Sequence, residues 1–359
     1  MPSVLFVSGE YPPDVGGVGD YTHQLRAALP FSTRVLTRRD VKRWDARSLV
    51  RLLRTAPRSG IVHIQYQPAA FDLLGDVCVM PALLRLVRPR VRTVTTFHDV
   101  RVPYLFPRAG RLRWQAVRLL ARGSHAVVAA DGRDLQALGL AEAKGHLIPI
   151  GSNVPCAPPP GYERPSFRRA QGLDGLTLVY FGLLNASKGL ESLFDAFDLV
   201  LRERPDARLL LLGGRIGASD PTDARTASAF GRRLLRLGPR VVQPGFLQPA
   251  DLSAWLLAGD VALLPYADGA SARRGSLLAC AAHGLPIVST APAAAEVADA
   301  VHAVPAGDPA ALAHAALQVA GDAVIAGRLR AGSAALAQRS TWSGIAARHV
   351  ALYESLLYS

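Results

Sequence analysis

Short apolar runs alternate with longer helical patterns from one end of this chain to the other, and that alternation leaves few folds open. In the first half the strand candidates are residues 4–8, 34–37, 61–66, 92–97, 126–130 and 147–150, with helical patterns such as 20–29 and 110–121 between them. The stretch Cys156-Ala157-Pro158-Pro159-Pro160-Gly161 cannot sustain a helix or a central strand and reads as a joint. The pattern then restarts, with strands at 176–181, 208–212, 241–244, 261–264, 287–290 and 301–304. Continuous apolar strands separated by helices mean parallel sheets covered on both faces. Two such series predict an α/β chain of two doubly wound, Rossmann-like domains facing a cleft, at residues 1–160 and 161–340.

Several classes are excluded at this stage. Hydrophobic residues make up 50% and charged ones 19%, too apolar a balance for a disordered chain. No uninterrupted run of about 20 apolar residues predicts a membrane span. The opening Met1-Pro2-Ser3 lacks a basic region and a cleavage site, so no secretory signal is expected. Cys78, Cys156 and Cys280 are odd in number and without metal-ligand spacing, which fits a reduced, cytoplasmic chain with no structural metal. The net charge of +13 comes almost wholly from arginine. Between Arg85 and Arg122 ten arginines stand against one acid, Asp99. Such a patch answers nucleic acid, anionic lipid or a phosphorylated substrate. No nucleic-acid motif accompanies it, so no nucleic acid is expected as a partner.

Open parallel sheets bind ligands beyond the carboxyl ends of their strands, so the loops after strands should carry function. The first runs Gly9-Glu10-Tyr11-Pro12-Pro13-Asp14-Val15-Gly16-Gly17-Val18-Gly19. Its glycines and the following helix start suit a phosphate, although a plain glycine-rich turn is the simpler reading. A dinucleotide fingerprint does not fit, because Gly16 comes seven positions after Gly9 and the second strand runs into Arg38-Arg39. The second loop holds Phe97-His98-Asp99, able to hydrogen-bond phosphate or sugar, or equally an ordinary surface histidine. The third, Phe181-Gly182 to Ser187-Lys188-Gly189, predicts Ser187 as a helix N-cap. Lys188 then stands against the helix dipole, which an anion would relieve. The fourth, Leu264-Pro265-Tyr266-Ala267-Asp268-Gly269-Ala270-Ser271-Ala272-Arg273-Arg274-Gly275-Ser276, brings hydroxyls and two arginines to a helix start.

Taken in order, these motifs resemble the nucleotide-sugar-dependent glycosyltransferases of the GT-B fold, in their large retaining family (glycosyltransferase family 4 type). Val62-His63-Ile64-Gln65, Ile148-Pro149-Ile150-Gly151-Ser152-Asn153, Gly245-Phe246 and Gly284-Leu285-Pro286-Ile287-Val288 extend the match over nearly the whole chain. The resemblance implies metal-independent transfer of a sugar from a nucleotide diphosphate donor, with no cofactor, to a sugar or lipid-linked acceptor in envelope or exported polysaccharide synthesis. It implies His98 and Lys188 as catalytic residues, His98 at the donor sugar and Lys188 at the leaving diphosphate. Gly16, Gly17, Gly182, Gly275 and Ser276 would line the donor, and Gly245 and Phe246 would frame its base. Gln65 and Asp99 would stand on the acceptor side. It further implies a last helix, within 341–359, that crosses back onto the first domain.

Two departures stand out. Leu183 occupies the place of the family's arginine, and Ser271 and Ala279 that of its paired glutamates. Arg273 or Arg274 is the expected substitute for the missing charge, and Asp268 or Ser271 for the sugar contact. These departures keep open a GT-B scaffold that only binds, or a sugar-nucleotide enzyme such as an epimerase. Finally, Arg111, Trp114 and Arg118 are expected on one face of the 110–121 helix, a pattern for peripheral binding to an anionic membrane.

Overall fold

The computed structural model describes residues 3–14, 16–71, 76–100, 110–140, 142–182, 188–213 and 230–358. Leu183, Ser187, Arg101 and Arg108, on which some sequence expectations rest, lie outside them, as do the side chains of residues 110–113. The chain divides into two compact units, Met1–Gly151 with Thr341–Ser359, and Ser152–Ser340. The division falls nine residues before the 160/161 joint expected from the prolines. The reason is that the proline-rich segment is already tied to unit 2: the Ala157 amide donates to Ser253 Oγ at 3.0 Å. The following helix, Arg164–Ala170, is held by Arg164 and Arg168 on the Asp260 carboxylate, at 2.5 and 3.2 Å.

Unit 1 is built on β1 (Ser3–Ser8), β2 (Ser32–Leu36), β3 (Gly60–Tyr66), β4 (Val91–Phe97), β5 (Ala126–Ala129) and β6 (Gly145–Leu147). Among the described residues they form one parallel sheet in the order β2-β1-β3-β4-β5-β6. Every residue of β3 is buried, as expected of a central strand covered on both faces. Alternate residues feed two cores. Leu5, Val7, Val62 and Ile64 pack under helices Ala46–Thr55, Met80–Val87 and Gly110–Gly123. Val4, Phe6, Ile61 and Val94 pack under helices Gly17–Ala28 and Trp342–Tyr358. The last helix therefore completes unit 1 from the far end of the sequence.

Unit 2 contains β7 (Thr177–Phe181), β8 (Arg208–Leu212), β9 (Val241–Val242), β10 (Val261–Leu264), β11 (Ile287–Thr290) and β12 (Val301–Val304). Their parallel order is β12-β11-β10-β7-β8-β9 among the described residues. The order reverses between β7 and β10. Helix connections leave these neighbouring strands toward opposite sides, opening a crevice at their carboxyl ends.

Three local expectations change. β6 spans Gly145–Leu147 and shares only Leu147 with the expected 147–150, because Pro149 has no N–H for the ladder. The first helix begins at Gly17, with Gly16 as N-cap, so the glycine-rich loop is shorter than its sequence implies. Helix Leu190–Glu203 is capped by Gly189 rather than Ser187.

Candidate functional site

Gly189 explains how unit 2 assembles its site. Its φ of +69° lies in the left-handed region, and a Cβ there would come within 1.8 Å of the Pro265 carbonyl oxygen. Only glycine lets the chain after β7 pass this close to the chain after β10. That contact brings Lys188 and Tyr266 together at the reversal point of the sheet.

Tyr266 is the centre of the cluster. Its ring is fully buried, with the Lys188 ammonium 5.4 Å and the Arg274 guanidinium 4.8 Å from its centroid. Each cation gains about 0.5–2 kcal/mol from such a ring. The Tyr266 hydroxyl shares a 2.7 Å hydrogen bond with Ser276 Oγ, and burial raises its pKa, so the phenol stays protonated. Arg274 is paired with Asp268. Burial, reinforced by the Arg274 charge and opposed by Asp268, brings the Lys188 pKa down to about 8. Two cations held this close, one partly desolvated, form a site short of negative charge.

Backbone completes it. Helix Gly275–Ala282 starts beside the cluster with Arg274 as N-cap and no side-chain cap, leaving its first N–H groups for an anion. Gly182, at φ +148°, presents bare backbone here, and a Cβ on it would stand 3.5 Å from the Tyr180 hydroxyl and 3.7 Å from Ser276. Two buried polar atoms lack partners here, Ser271 Oγ and Arg274 Nε. Arg273 is half-buried in the same turn. The structure thus joins Gly182, Lys188, Asp268, Ser271, Arg273, Arg274, Gly275 and Ser276. Gly245 and Phe246 lie apart, after the edge strand β9, with Gly245 at φ +81° and the Phe246 ring exposed. The sequence assigns Tyr266 no role of its own; its place next to Pro265 at a strand end is the available signal.

The corresponding end of unit 1 has different chemistry. Rather than an open phosphate cradle, Gly16 faces the Glu10 carboxylate, which a Cβ on Gly16 would strike at 1.9 Å. Burial, then the charges of Asp14 and Asp20, raise the Glu10 pKa, and burial raises that of Asp20. Behind this acidic loop stands a neutral, buried hydrogen-bond network. His98 Nε2 donates to Gln65 Oε1 at 2.9 Å, and its ring meets Tyr21 edge-on at 4.8 Å. Gln65 Nε2 is buried without a partner. His63 bonds Tyr353 at 2.6 Å and Thr96 at 2.7 Å, while the Tyr21 hydroxyl donates to His349 Nε2 at 3.4 Å. Burial, with smaller repulsions among the histidines, lowers His98 to about 3 and His63 well below normal; burial lowers His349 to about 4. Asp99 follows His98, half-buried. The sequence named His98 and Gln65 but not Glu10 or His349, because only the folded loop and the returning helix bring those two in.

No group of three or more His, Cys, Asp or Glu is placed to hold a metal among the described residues. Among them, too, no single helix is long and apolar enough to cross a membrane; one pair, Pro309–Gly321 and Ala323–Arg339, passes by length and composition but is bent by 97°.

No curated protein matches the chain by sequence. HepE from Anabaena, solved in complex with UDP, has the same fold, with a TM-score of 0.76 at 17% identity over 99% of this chain and 100% of its own. Sucrose-phosphate synthase from Thermosynechococcus elongatus gives 0.76 at 20% identity, covering 100% of both chains. A trehalose-phosphate synthase from Burkholderia xenovorans, in complex with glucose-6-phosphate, gives 0.73 at 13% identity over 98% of this chain and 99% of its own. The two sheets and their helices are thus a GT-B fold, and residues 175–322, which hold the Tyr266 cluster, match the family model described as Glycosyl transferases group 1.

Proposed function

We propose that the chain is a glycosyltransferase that binds a nucleotide diphosphate sugar on unit 2 and passes the sugar to a hydroxyl acceptor, with retention at the anomeric carbon. The observation that carries this reading is the pair of cations on Tyr266, beside an uncapped helix start, at the sheet reversal of unit 2. Breaking the anomeric bond to a diphosphate builds negative charge on the leaving oxygen. Lys188, Arg274 and the N–H groups of helix Gly275–Ala282 meet that charge, and they do so more strongly in the transition state than before it. A neighbouring diphosphate also returns the partly deprotonated Lys188 to its charged form. These side chains supply the countercharge, so transfer proceeds in the presence of a chelator.

Unit 1 serves the acceptor. Its Glu10, Asp14 and Asp20 repel a phosphorylated sugar and accept hydrogen bonds from hydroxyls, while neutral His98 positions the sugar being transferred. That HepE was solved with UDP supports a uridine donor as the first to try. The acceptor is a growing or lipid-linked saccharide of an envelope or exported polysaccharide, glycosylated in the cytoplasm.

A thermal-shift panel of uridine, guanosine and adenosine diphosphate sugars tests the donor. At 100 times its dissociation constant the right donor stabilises the fold by about 2.7 kcal/mol. Absence of any shift, together with no release of nucleoside diphosphate from any donor, would refute the proposal.

A further inference from the structure

Arginine is abundant throughout this chain, but its acidic partners are unevenly spread over the surface. In unit 2 several arginines pair with acids, Arg164 and Arg168 with Asp260, Arg204 with Asp206, and Arg233 and Arg236 with Asp195 and Asp198, whereas Arg328, Arg330 and Arg339 have no acidic partner among the described residues. The outer helices of unit 1 over the β3–β5 side, Ala46–Thr55, Met80–Val87 and Gly110–Gly123, contain no acid at all. Their arginines 47, 51, 54, 85, 118 and 122 have no acidic partner among the described residues.

The same helices expose aliphatic side chains. Val50 is 51% exposed, Leu86 80%, Val87 43% and Leu119 46%. Spacing aligns them with the arginines on the outward stripes. On the first helix Arg47, Val50, Arg51 and Arg54 follow i, i+3, i+4, i+7, and Leu52 points to the core. On the second the outward positions are Ala82, Arg85 and Leu86. On the third they are Gln115, Leu119 and Arg122, while Trp114 turns inward onto the core with Arg118 5.5 Å from its ring. This corrects the sequence expectation, which placed Trp114 on the membrane-facing side with Arg111 and Arg118. All three helices cover one core on one face of the sheet, so the stripes belong to one surface.

We propose that this surface docks on an anionic lipid bilayer, with the arginines at the headgroups and Val50, Leu86, Val87 and Leu119 at the acyl boundary. Charge complementarity selects the partner, since a layer without acids repels a basic partner and lowers its energy against negative lipid. The interleaved aliphatics select lipid over nucleic acid, because they gain nothing from a phosphate backbone but bury apolar area at a membrane interface. The surface shares no residue with the Tyr266 cluster, so the proposal stands whether or not the donor reading does.

Flotation with phosphatidylcholine vesicles, with and without about one-third phosphatidylglycerol, tests it. Binding is expected only with the anionic lipid, and it weakens from about 0.05 to 0.5 M salt. Replacing Arg47, Arg51 and Arg54 with Gln lowers partitioning roughly 100-fold, at about fivefold per arginine. Leu86→Asp with Leu119→Asp does the same without removing an arginine. The charge-matched control, Arg328→Gln with Arg330→Gln and Arg339→Gln on helix Ala323–Arg339 of unit 2, keeps its binding. Retained thermal stability in each variant shows that the fold survives. Equal binding to neutral vesicles, equal loss in the control, or retention on heparin without binding to vesicles overturns the proposal.

Discussion

The two units share a parallel, doubly wound sheet of six strands among the described residues, yet the carboxyl ends of those sheets carry opposite chemistry. In unit 2 the loops after β7 and β10 meet through Gly189 and gather Lys188 and Arg274 on Tyr266. In unit 1 the loop after β1 turns Glu10 onto the helix start, with Asp14 and Asp20 near enough to raise its pKa. Behind it three histidines are kept neutral by burial. A fold of this kind supplies positions at strand ends; which charge fills them is a matter of a few side chains. On the function proposed above, unit 2 binds the donor diphosphate and unit 1 offers its groups to sugar hydroxyls.

The strongest way to break that contrast is at Lys188. Lys188→Ala is expected to lower turnover about 100-fold or more, with thermal stability close to the parent. Its pKa of about 8 adds a signature. The ammonium is charged below that value and lost above it, so nucleoside diphosphate binding should weaken as pH rises from about 7 to 9. A pH-independent dissociation constant, or unimpaired turnover in the variant, would place the diphosphate elsewhere.

Acid should next separate the units. An unfolded histidine takes up a proton near pH 6.5, whereas His349, 0% exposed, resists until about 4. Because the folded pKa is depressed, its contribution to stability is complete above about 6.5 and is lost as pH falls. By pH 5 that amounts to about 2 kcal/mol from His349 alone, and His98 and His63 act in the same direction. Urea titrations at pH 7 and pH 5, followed by hydrogen exchange, should find unit 1 opening first. Equal losses in both units would contradict the buried network as the acid-sensitive element.

Arg274 offers a smaller and sharper test. Arg274→Ala should weaken nucleoside diphosphate binding about tenfold, by the loss of one charged contact, and bare nucleoside binding far less. Asp268→Asn should act in the opposite sense, because the Arg274–Asp268 pair competes with phosphate. A few-fold gain in diphosphate affinity by calorimetry is expected, within the range of a partly exposed ion pair. Weaker binding of the whole nucleotide sugar in that variant, with the diphosphate unchanged, would instead put Asp268 on the sugar.

Much of this molecule is written in local pattern. The run of apolar segments placed eleven of the twelve described strands and met β6 only at Leu147, and β10, β11 and β12 begin and end at the expected residues, because a strand's burial period is set within a few residues. Position after a strand was enough to single out Lys188, His98 and the Arg274 turn, since parallel sheets offer their ligands one end only. Contacts between distant segments are not in the pattern. The approach of Gly189 to Pro265 makes Tyr266 a platform, and the return of helix Trp342–Tyr358 sets Tyr353 on His63. Glu10 reaches Gly16 only because the loop between them folds back. Trp114 turns to the core instead of the face expected of it, and Leu119 lies exposed, because the neighbouring helices, rather than helical period alone, decide where apolar area can be buried. The sequence by itself determined the order of elements and which residues reach the strand ends, both short-range consequences of backbone geometry. Strand order and packing decided which of those residues share a site, since they join positions that local preference cannot connect.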